Sequence, residues 1–122
     1  MFIDRAVIEV NGGCNYSCSM CPQTNQGRDK SFLKKMSLET FEDMLKQMRP
    51  RVVNLEGSGE ATLNNNLPKY IDLVKKYDGK AYIFSNGYKM HGQFMKDCVN
   101  AGLDFYRFSI IGYNAELYFK WM

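Results

Sequence analysis

The sequence has no long hydrophobic run, no low-complexity segment and little net charge. Its longest stretch of consecutive apolar residues is four, at residues 81–84, whereas a membrane-spanning helix needs roughly 20. The first ten residues also lack the apolar centre of a secretory signal. We therefore expect a cytoplasmic protein without a membrane partner. A net charge of +3 is too small to indicate a nucleic-acid partner.

Cysteine is scarce and unevenly placed. Three of the four cysteines, Cys14, Cys18 and Cys21, fall within eight residues in a C-x-x-x-C-x-x-C pattern, and Cys98 stands alone. A secreted disulfide scaffold would spread its cysteines through the chain. This clustering is instead typical of reduced thiolates that bind a metal.

The number of thiols in the cluster is informative. A closed zinc site has four ligands, and an iron–sulfur cluster that only transfers electrons usually has four cysteines. Three thiolates leave one metal position open, which favours a [4Fe–4S] cluster with one iron free for a substrate or cosubstrate. The alternative is a zinc site completed by His91 or Cys98. We prefer the open cluster, because Cys98 fits the buried face of a predicted helix and His91 is interpreted as a surface residue.

The rest of the chain alternates strand and helix patterns. At 122 residues, with 45% hydrophobic and 24% charged residues, it is expected to form one folded domain over residues 1–122. Strands are predicted at residues 5–11, 51–56, 80–85 and from residue 104, and helices at residues 38–48, 67–77 and 92–101.

Apolar spacing predicts which face of each helix is buried. Ser37 is the expected N-cap of the first helix, Pro68 lies in the first turn of the second, and Gly102 ends the third. The predicted inward residues are Phe41, Met44, Leu45 and Met48, then Leu67, Tyr70, Ile71 and Val74, then Phe94, Cys98 and Val99. Helical spacing recurs at Ala115, Tyr118, Phe119 and Met122, a stripe expected to lie against a sheet.

Strands separated by helices are parallel and joined by right-handed crossovers, which leaves a doubly wound sheet or part of a (βα) barrel. In either fold, function lies at the carboxyl ends of the strands. The loops there are residues 12–23, 57–60, 85–87 and 109–114. The locally basic residues 27–35 are interpreted as a solvated loop, with contact to an anionic substrate as the alternative.

Four motifs occur in order at these strand ends: "CNYSCSMCP", "GSGEATL", "FSNGY" and "AGLDFYRFSIIG". Together they resemble the radical S-adenosylmethionine (SAM) superfamily, and most closely its SPASM/twitch branch of peptide- and sulfatase-maturing enzymes. The resemblance implies an α/β fold, a partial (βα) barrel of about four parallel strands with three to four helices. This would be the N-terminal half of a radical SAM core.

The resemblance also implies a set of site residues. Cys14, Cys18 and Cys21 would bind a [4Fe–4S] cluster, with SAM chelating the fourth iron. Met20 would lie near the adenine. The remaining cosubstrate contacts would be Gly57, Ser58, Gly59 and Glu60 at the ammonium group, and Ser85, Asn86 and Ser109 at the methionyl or ribose part. Ile111 stands where this branch commonly has an acid.

The implied reaction is reductive cleavage of SAM to methionine and a 5′-deoxyadenosyl radical, which abstracts hydrogen from an unassigned substrate, with a peptide as the expectation from the branch. A flavodoxin or ferredoxin would supply the electron. The alternative is a non-catalytic iron–sulfur and SAM-binding or electron-transfer module. Because the chain has fewer strands than the family's core, we also expect self-association or assembly with a complementing half.

Overall fold

The computed structural model describes residues 3–25 and 34–122, in which four parallel strands form one sheet in the order β1-β2-β3-β4. The strands are β1 (Arg5–Val7), β2 (Val52–Asn54), β3 (Lys80–Ser85) and β4 (Phe105–Phe108). The predicted class, a partial (βα) barrel of four parallel strands, is confirmed.

Helices connect the strands as the sequence predicts. In the described part of the chain they are α1 (Pro22–Asn25), α2 (Leu38–Met48), α3 (Leu67–Lys76), α4 (Gly92–Asn100) and α5 (Ala115–Trp121), with a short 3₁₀ turn at Ala61–Leu63. The side chain of Ser37 accepts a hydrogen bond from the backbone N–H of Thr40, which confirms it as the N-cap of α2. Gly102, just after α4, has a φ of 95°, a conformation that glycine adopts without strain.

The core lies between the sheet and α2, α3 and α4. The predicted inward residues Phe41 and Leu45 of α2 are buried, and Met44 and Met48 pack against the core while partly exposed. The four predicted inward residues of α3 are all buried: Leu67, Tyr70, Ile71 and Val74. They meet Val53 and Leu55 from the β2 region and Ala81 and Ile83 from β3. Burial of this apolar surface holds the sheet in place.

The predicted face of α4 is only partly confirmed. Cys98 is fully buried and Phe94 packs against the core, but Val99 is 57% exposed. Phe94 and Cys98 are four residues apart and share a face, whereas Val99 lies about 100° further round the helix than Cys98. The inward assignment of Val99 was therefore wrong. His91 is exposed at the start of α4, as predicted.

The first strand pairs in parallel over fewer residues than predicted. The ladder to β2 ends one residue after β1, where the N–H of Ile8 donates to the carbonyl of Asn54 (2.9 Å). Beyond it, the N–H of Met36 donates to the carbonyl of Val10 and the N–H of Gly12 to that of Lys34. The chain leaves the sheet because the segment before α2 replaces β2 as its partner.

The last helix does not lie on the sheet as its apolar stripe predicted. Instead, α5 packs at the carboxyl ends of the strands, where the Tyr118 and Tyr16 hydroxyls are 2.8 Å apart and the N–H of Ser19 donates to the carbonyl of Trp121. Phe119 is 84% exposed. The phenolic hydroxyl of Tyr118 explains the difference, because it gains a polar partner at the cysteine loop that a sheet face would not offer.

Three further findings bear on the sequence predictions. Residues 27–33 of the basic run lie outside the described residues. None of the helices in residues 3–25 and 34–122 is long and apolar enough to cross a membrane. The face and end of β4 expose several large apolar side chains, Phe105, Phe108, Ile110 and Ile111. Self-association through such a surface stays a prediction.

Candidate active site

The loops at the carboxyl ends of the four strands enclose a cavity of about 250 Å³. The β strands bring these loops to one edge of the sheet because parallel strands all end there. The cavity is lined by Cys14, Tyr16, Cys18, Cys21, Glu56, Gly57, Gly59, Glu60, Phe84, Ser85, Asn86, Ser109, Ile111 and Met122.

Most of the predicted site residues meet at this cavity. The three clustered cysteines line it. So do residues from each of the other three motifs, namely Gly57, Gly59, Glu60, Ser85, Asn86 and Ser109. Two predicted residues do not reach the lining: Ser58 is exposed on its loop, and Met20 is 44% exposed. Ile111, at the position where the related branch has an acid, presents an apolar side chain to the cavity.

The cysteine loop brings three thiols into one electrostatic environment. Burial raises the pKa of the Cys18 thiol, and the nearby Cys14 and Cys21 raise that pKa further. The N–H of Tyr16 points at the sulfur of Cys14 (3.4 Å), and the N–H of Cys21 donates to the carbonyl of Cys18 (2.9 Å). A cationic metal group bound to the Cys18 sulfur would favour its thiolate form and so offset this rise in pKa.

The donor set suits a cluster better than a single ion. The cavity lining holds three thiols, which is the donor set expected of a [4Fe–4S] cluster that leaves one iron for a cosubstrate. The described lining includes neither His91 nor Cys98, the residues that a zinc site would need. The three thiols therefore fit a [4Fe–4S] cluster.

Glu60 is the central polar residue of the site. Its carboxylate is 4% exposed and accepts four hydrogen bonds, from the N–H and hydroxyl of Thr62 (3.1 and 2.7 Å), the hydroxyl of Ser85 (2.6 Å) and the N–H of Asn86 (2.8 Å). These bonds join the loop after β2 to the end of β3. Both carboxylate oxygens are engaged within the protein, so the side chain fixes the positions of Ser85 and Asn86.

We predict that Glu60→Gln destabilises the fold by about 2–4 kcal/mol. The carboxylate faces four donors, and a glutamine would turn an NH₂ group toward some of them and leave them unpaired. Urea unfolding of the variant measures the loss. Glu42→Gln is the matched control, because the Glu42 carboxylate pairs with Lys76 at the surface and its loss is expected to change stability far less. Equal stability of the two variants would contradict this assignment.

The third-strand loop is also tied to the cysteine loop. The side-chain amide of Asn86 donates to the side-chain oxygen of Asn15 (2.9 Å), the residue after Cys14. The hydroxyl of Ser85 accepts from the N–H of Gly87 (3.0 Å), and the N–H of Ser109 donates to the carbonyl of Ser85 (2.7 Å). Asn86 and Ser85 thus link the loops after β1, β3 and β4.

Sequence reasoning missed several residues of the site. Glu9 and Asn11 follow β1 and hold the loop after β2: the N–H of Gly59 donates to the Glu9 carboxylate (2.9 Å), and the Asn11 amide donates to the carbonyl of Glu60 (2.9 Å). Tyr16 and Met122 were missed because the position of α5 depends on tertiary contacts. Glu9 and Asn11 could have been noticed in the sequence, because they alternate with the apolar residues Ile8 and Val10 at the end of the predicted strand.

Tyr16 forms the link between the cysteine loop and α5. Its ring meets that of Tyr118 edge to face, with centroids 6.3 Å apart. The hydrogen bond to Tyr118, with smaller contributions from burial and nearby charges, raises the pKa of Tyr16 to about 12. Its hydroxyl therefore stays protonated throughout the physiological range.

A larger groove, of about 710 Å³, lies elsewhere, between the outer surfaces of α2 and α3. Its lining is mainly charged side chains of both signs, Glu39, Glu42, Lys69, Asp72, Lys75 and Lys76, with Leu38 and Leu73. Among the described residues, its lining includes no cysteine and no strand-end loop. We place the chemistry in the smaller cavity, because a site is identified by its reactive groups rather than by its volume.

The amino-acid sequence matches the model of a known protein family. The model of the radical SAM superfamily matches residues 8–122, nearly the whole chain. The chain belongs to the radical SAM superfamily. This confirms the family that the four motifs indicated. The [4Fe–4S] cluster and SAM predicted from the sequence are the cofactors of this superfamily.

Solved structures of BtrN share the fold. BtrN in an open conformation matches with a TM-score of 0.70, and BtrN in complex with AdoMet and 2-DOIA matches with a TM-score of 0.72. Both are 20% identical in sequence and cover 85% of this radical SAM chain. The match covers 48% and 44% of the two BtrN chains, so this chain spans about half their length. No curated protein sequence matched the chain.

Proposed function

We propose that Cys14, Cys18 and Cys21 bind a [4Fe–4S] cluster, and that this chain is the part of a radical SAM enzyme that holds both cofactors. The observation that carries the proposal is the meeting of the three thiols with the loops after β2, β3 and β4 around one cavity. When bound and reduced, the cluster supplies the electron that breaks a carbon–sulfur bond of SAM, giving methionine and a 5′-deoxyadenosyl radical.

The residues of this chain act by binding, orienting and excluding water. The three thiols would hold the cluster and, as three ligands for four irons, would leave one iron for SAM. Gly57 and Gly59 let a backbone turn approach the cosubstrate's ammonium group, which carbonyl oxygens stabilise. Asn86 and Ser109 offer hydrogen-bonding groups after β3 and β4. Phe84 and Ile111 supply apolar walls, which limit the access of water to a reactive radical.

The side chains among the predicted cosubstrate contacts fall into three groups on structural grounds. Ser109 and Asn86 have partly or fully exposed side chains, which a ligand could reach. The Glu60 and Ser85 side chains are buried and hydrogen-bonded to each other, which suits residues that position their neighbours. Met20 and Ser58 are exposed and are not part of the described cavity lining. Their contacts stay predictions from the motif resemblance.

The reaction beyond radical formation is proposed only in outline. The radical would take a hydrogen atom from an organic substrate bound beside SAM, and the likeness to the SPASM/twitch branch favours a peptide. A flavodoxin- or ferredoxin-type protein is the proposed electron donor. Its docking would need access to the cysteine loop, whose three thiols are all partly exposed.

Formation of 5′-deoxyadenosine tests the proposed function. Anaerobically reconstituted protein is reduced with dithionite and incubated with SAM, and the nucleoside is measured by liquid chromatography. We expect 5′-deoxyadenosine from the wild-type chain and none from Cys18→Ala. An iron-loaded protein that binds SAM without forming the nucleoside would contradict the enzymatic proposal and leave a non-catalytic cofactor-binding module.

A further inference from the structure

Asn11 lies beyond the end of β1, in the segment between that strand and the first cysteine of the motif, Cys14. Its side chain is 4% exposed and uses both amide hydrogens, one to the carbonyl of Gly13 (2.7 Å) and one to the carbonyl of Glu60 (2.9 Å). The first carbonyl belongs to the root of the cysteine loop, directly before Cys14. The second belongs to the glycine–glutamate turn, after Gly59. One planar NH₂ group therefore spans the two loops.

The backbone reinforces the same junction. The N–H of Glu60 donates to the carbonyl of Gly13 (2.7 Å), which thus accepts from both Asn11 and Glu60. The two loops also touch closely, since a Cβ atom at Gly59 would lie 2.7 Å from the carbonyl oxygen of Gly13. With these contacts in place, the cysteine loop and the turn have one fixed separation. Without the Asn11 amide, the junction would lose both side-chain hydrogen bonds and keep the backbone bond from Glu60 to Gly13.

We infer that Asn11 is a positioning residue that sets the distance between the cluster and the turn that receives the cosubstrate's ammonium group. The inference rests on the proposed function, because that distance matters only if one ligand bridges both sites. SAM is such a ligand, since its amino acid end must meet the cluster and the turn together. A small error in that spacing weakens binding, although the three thiols are untouched.

The test compares Asn11→Ala with Asn64→Ala. Asn64 is a matched control because it is also buried (2% exposed) and its amide also donates to a carbonyl after β1, that of Val10 (2.9 Å). It does not join the two loops. We expect both variants to melt at lower temperature and to bind as much iron as wild type. Only Asn11→Ala should weaken SAM binding, by about tenfold or more, as followed by titrating the spectrum of the reduced cluster.

Asn11→Ser is the second variant, because it keeps a hydrogen-bond donor at this position, although its hydroxyl is one bond shorter than the amide, and we expect a loss of affinity no greater than that of Asn11→Ala. Equal SAM affinity in wild type, Asn11→Ala and Asn64→Ala would overturn the inference. So would a failure of both Asn11 variants to load iron while Asn64→Ala loads it, because Asn11 would then serve the cysteine loop alone. A wild-type protein that loads iron but gives no response to SAM would instead refute the proposed function.

Discussion

Replacing Cys18 with alanine is expected to abolish cluster binding, from about four irons per chain to nearly none. Cys18 is the middle one of the three proposed ligands, and its thiol is close enough to Cys14 and Cys21 for their charges to raise its pKa. Two thiolates cannot hold three corners of a cube. Iron and acid-labile sulfide are measured after anaerobic reconstitution, together with the visible absorption of the cluster.

Cys98→Ala is the control for this experiment, since it also removes one thiol. The Cys98 side chain is fully buried on α4, and burial, with a smaller contribution from Asp97, raises its pKa to about 11. A thiol held protonated in the core is a poor metal ligand. We expect full iron content and a loss of stability of about 1 kcal/mol from the missing sulfur. Loss of iron in Cys98→Ala would show that the core cysteine is a ligand.

Replacing Gly59 with alanine is expected to reduce SAM affinity by at least about tenfold and to destabilise the chain by about 1–3 kcal/mol. A Cβ atom at Gly59 would lie 2.6 Å from the carbonyl carbon of Gly12 and 2.7 Å from the carbonyl oxygen of Gly13, and closer still to the carbonyl oxygen of Asn11. All of these atoms are backbone, which cannot rotate away. The turn and the cysteine loop must therefore separate.

Gly13→Ala is the matched control, because it adds the same methyl group within the cysteine loop. Apart from the adjacent residues of the chain, the nearest atom to a Cβ at Gly13 would be the Asn11 amide nitrogen. The distance would be 3.7 Å, an ordinary van der Waals contact. We expect near wild-type iron content, stability and SAM affinity. The two variants are compared by thermal unfolding and by SAM titration of the reduced cluster. A Gly59→Ala protein that binds SAM like Gly13→Ala would show that close contact between the loops is unimportant.

The sequence predicted the place of the site because two local rules combine there. Cysteine spacing indicates the proposed ligands without knowledge of the fold, and strand–helix alternation predicts parallel strands whose carboxyl ends meet. Gly59, Ser85 and Ser109 could therefore be assigned to the same edge before any coordinates. The burial of Leu67 and Tyr70 on α3 was predictable for a similar reason, because a periodic apolar pattern is a local signal.

What the sequence could not supply depends on contacts between distant residues. Glu60 could be assigned to the glycine–glutamate turn, but its bonds to Ser85 and Asn86 exist only because β2 pairs with β3. The position of α5 depends on the contact between Tyr16 and Tyr118, which lie 102 residues apart. Asn11 reads in the sequence as one more polar residue after a strand. Its partners identify it as a link between two loops.

The central claim is that three cysteines leave one iron of a cluster open and that SAM binds it. The most direct measurement is the electron paramagnetic resonance spectrum of the reduced, reconstituted protein with and without SAM. Ligation by the amino and carboxylate groups changes the coordination of one iron, so we predict that the spectrum shifts and that the shift saturates with SAM concentration. A spectrum that saturating SAM leaves unchanged, in a protein with about four irons per chain, would contradict the account.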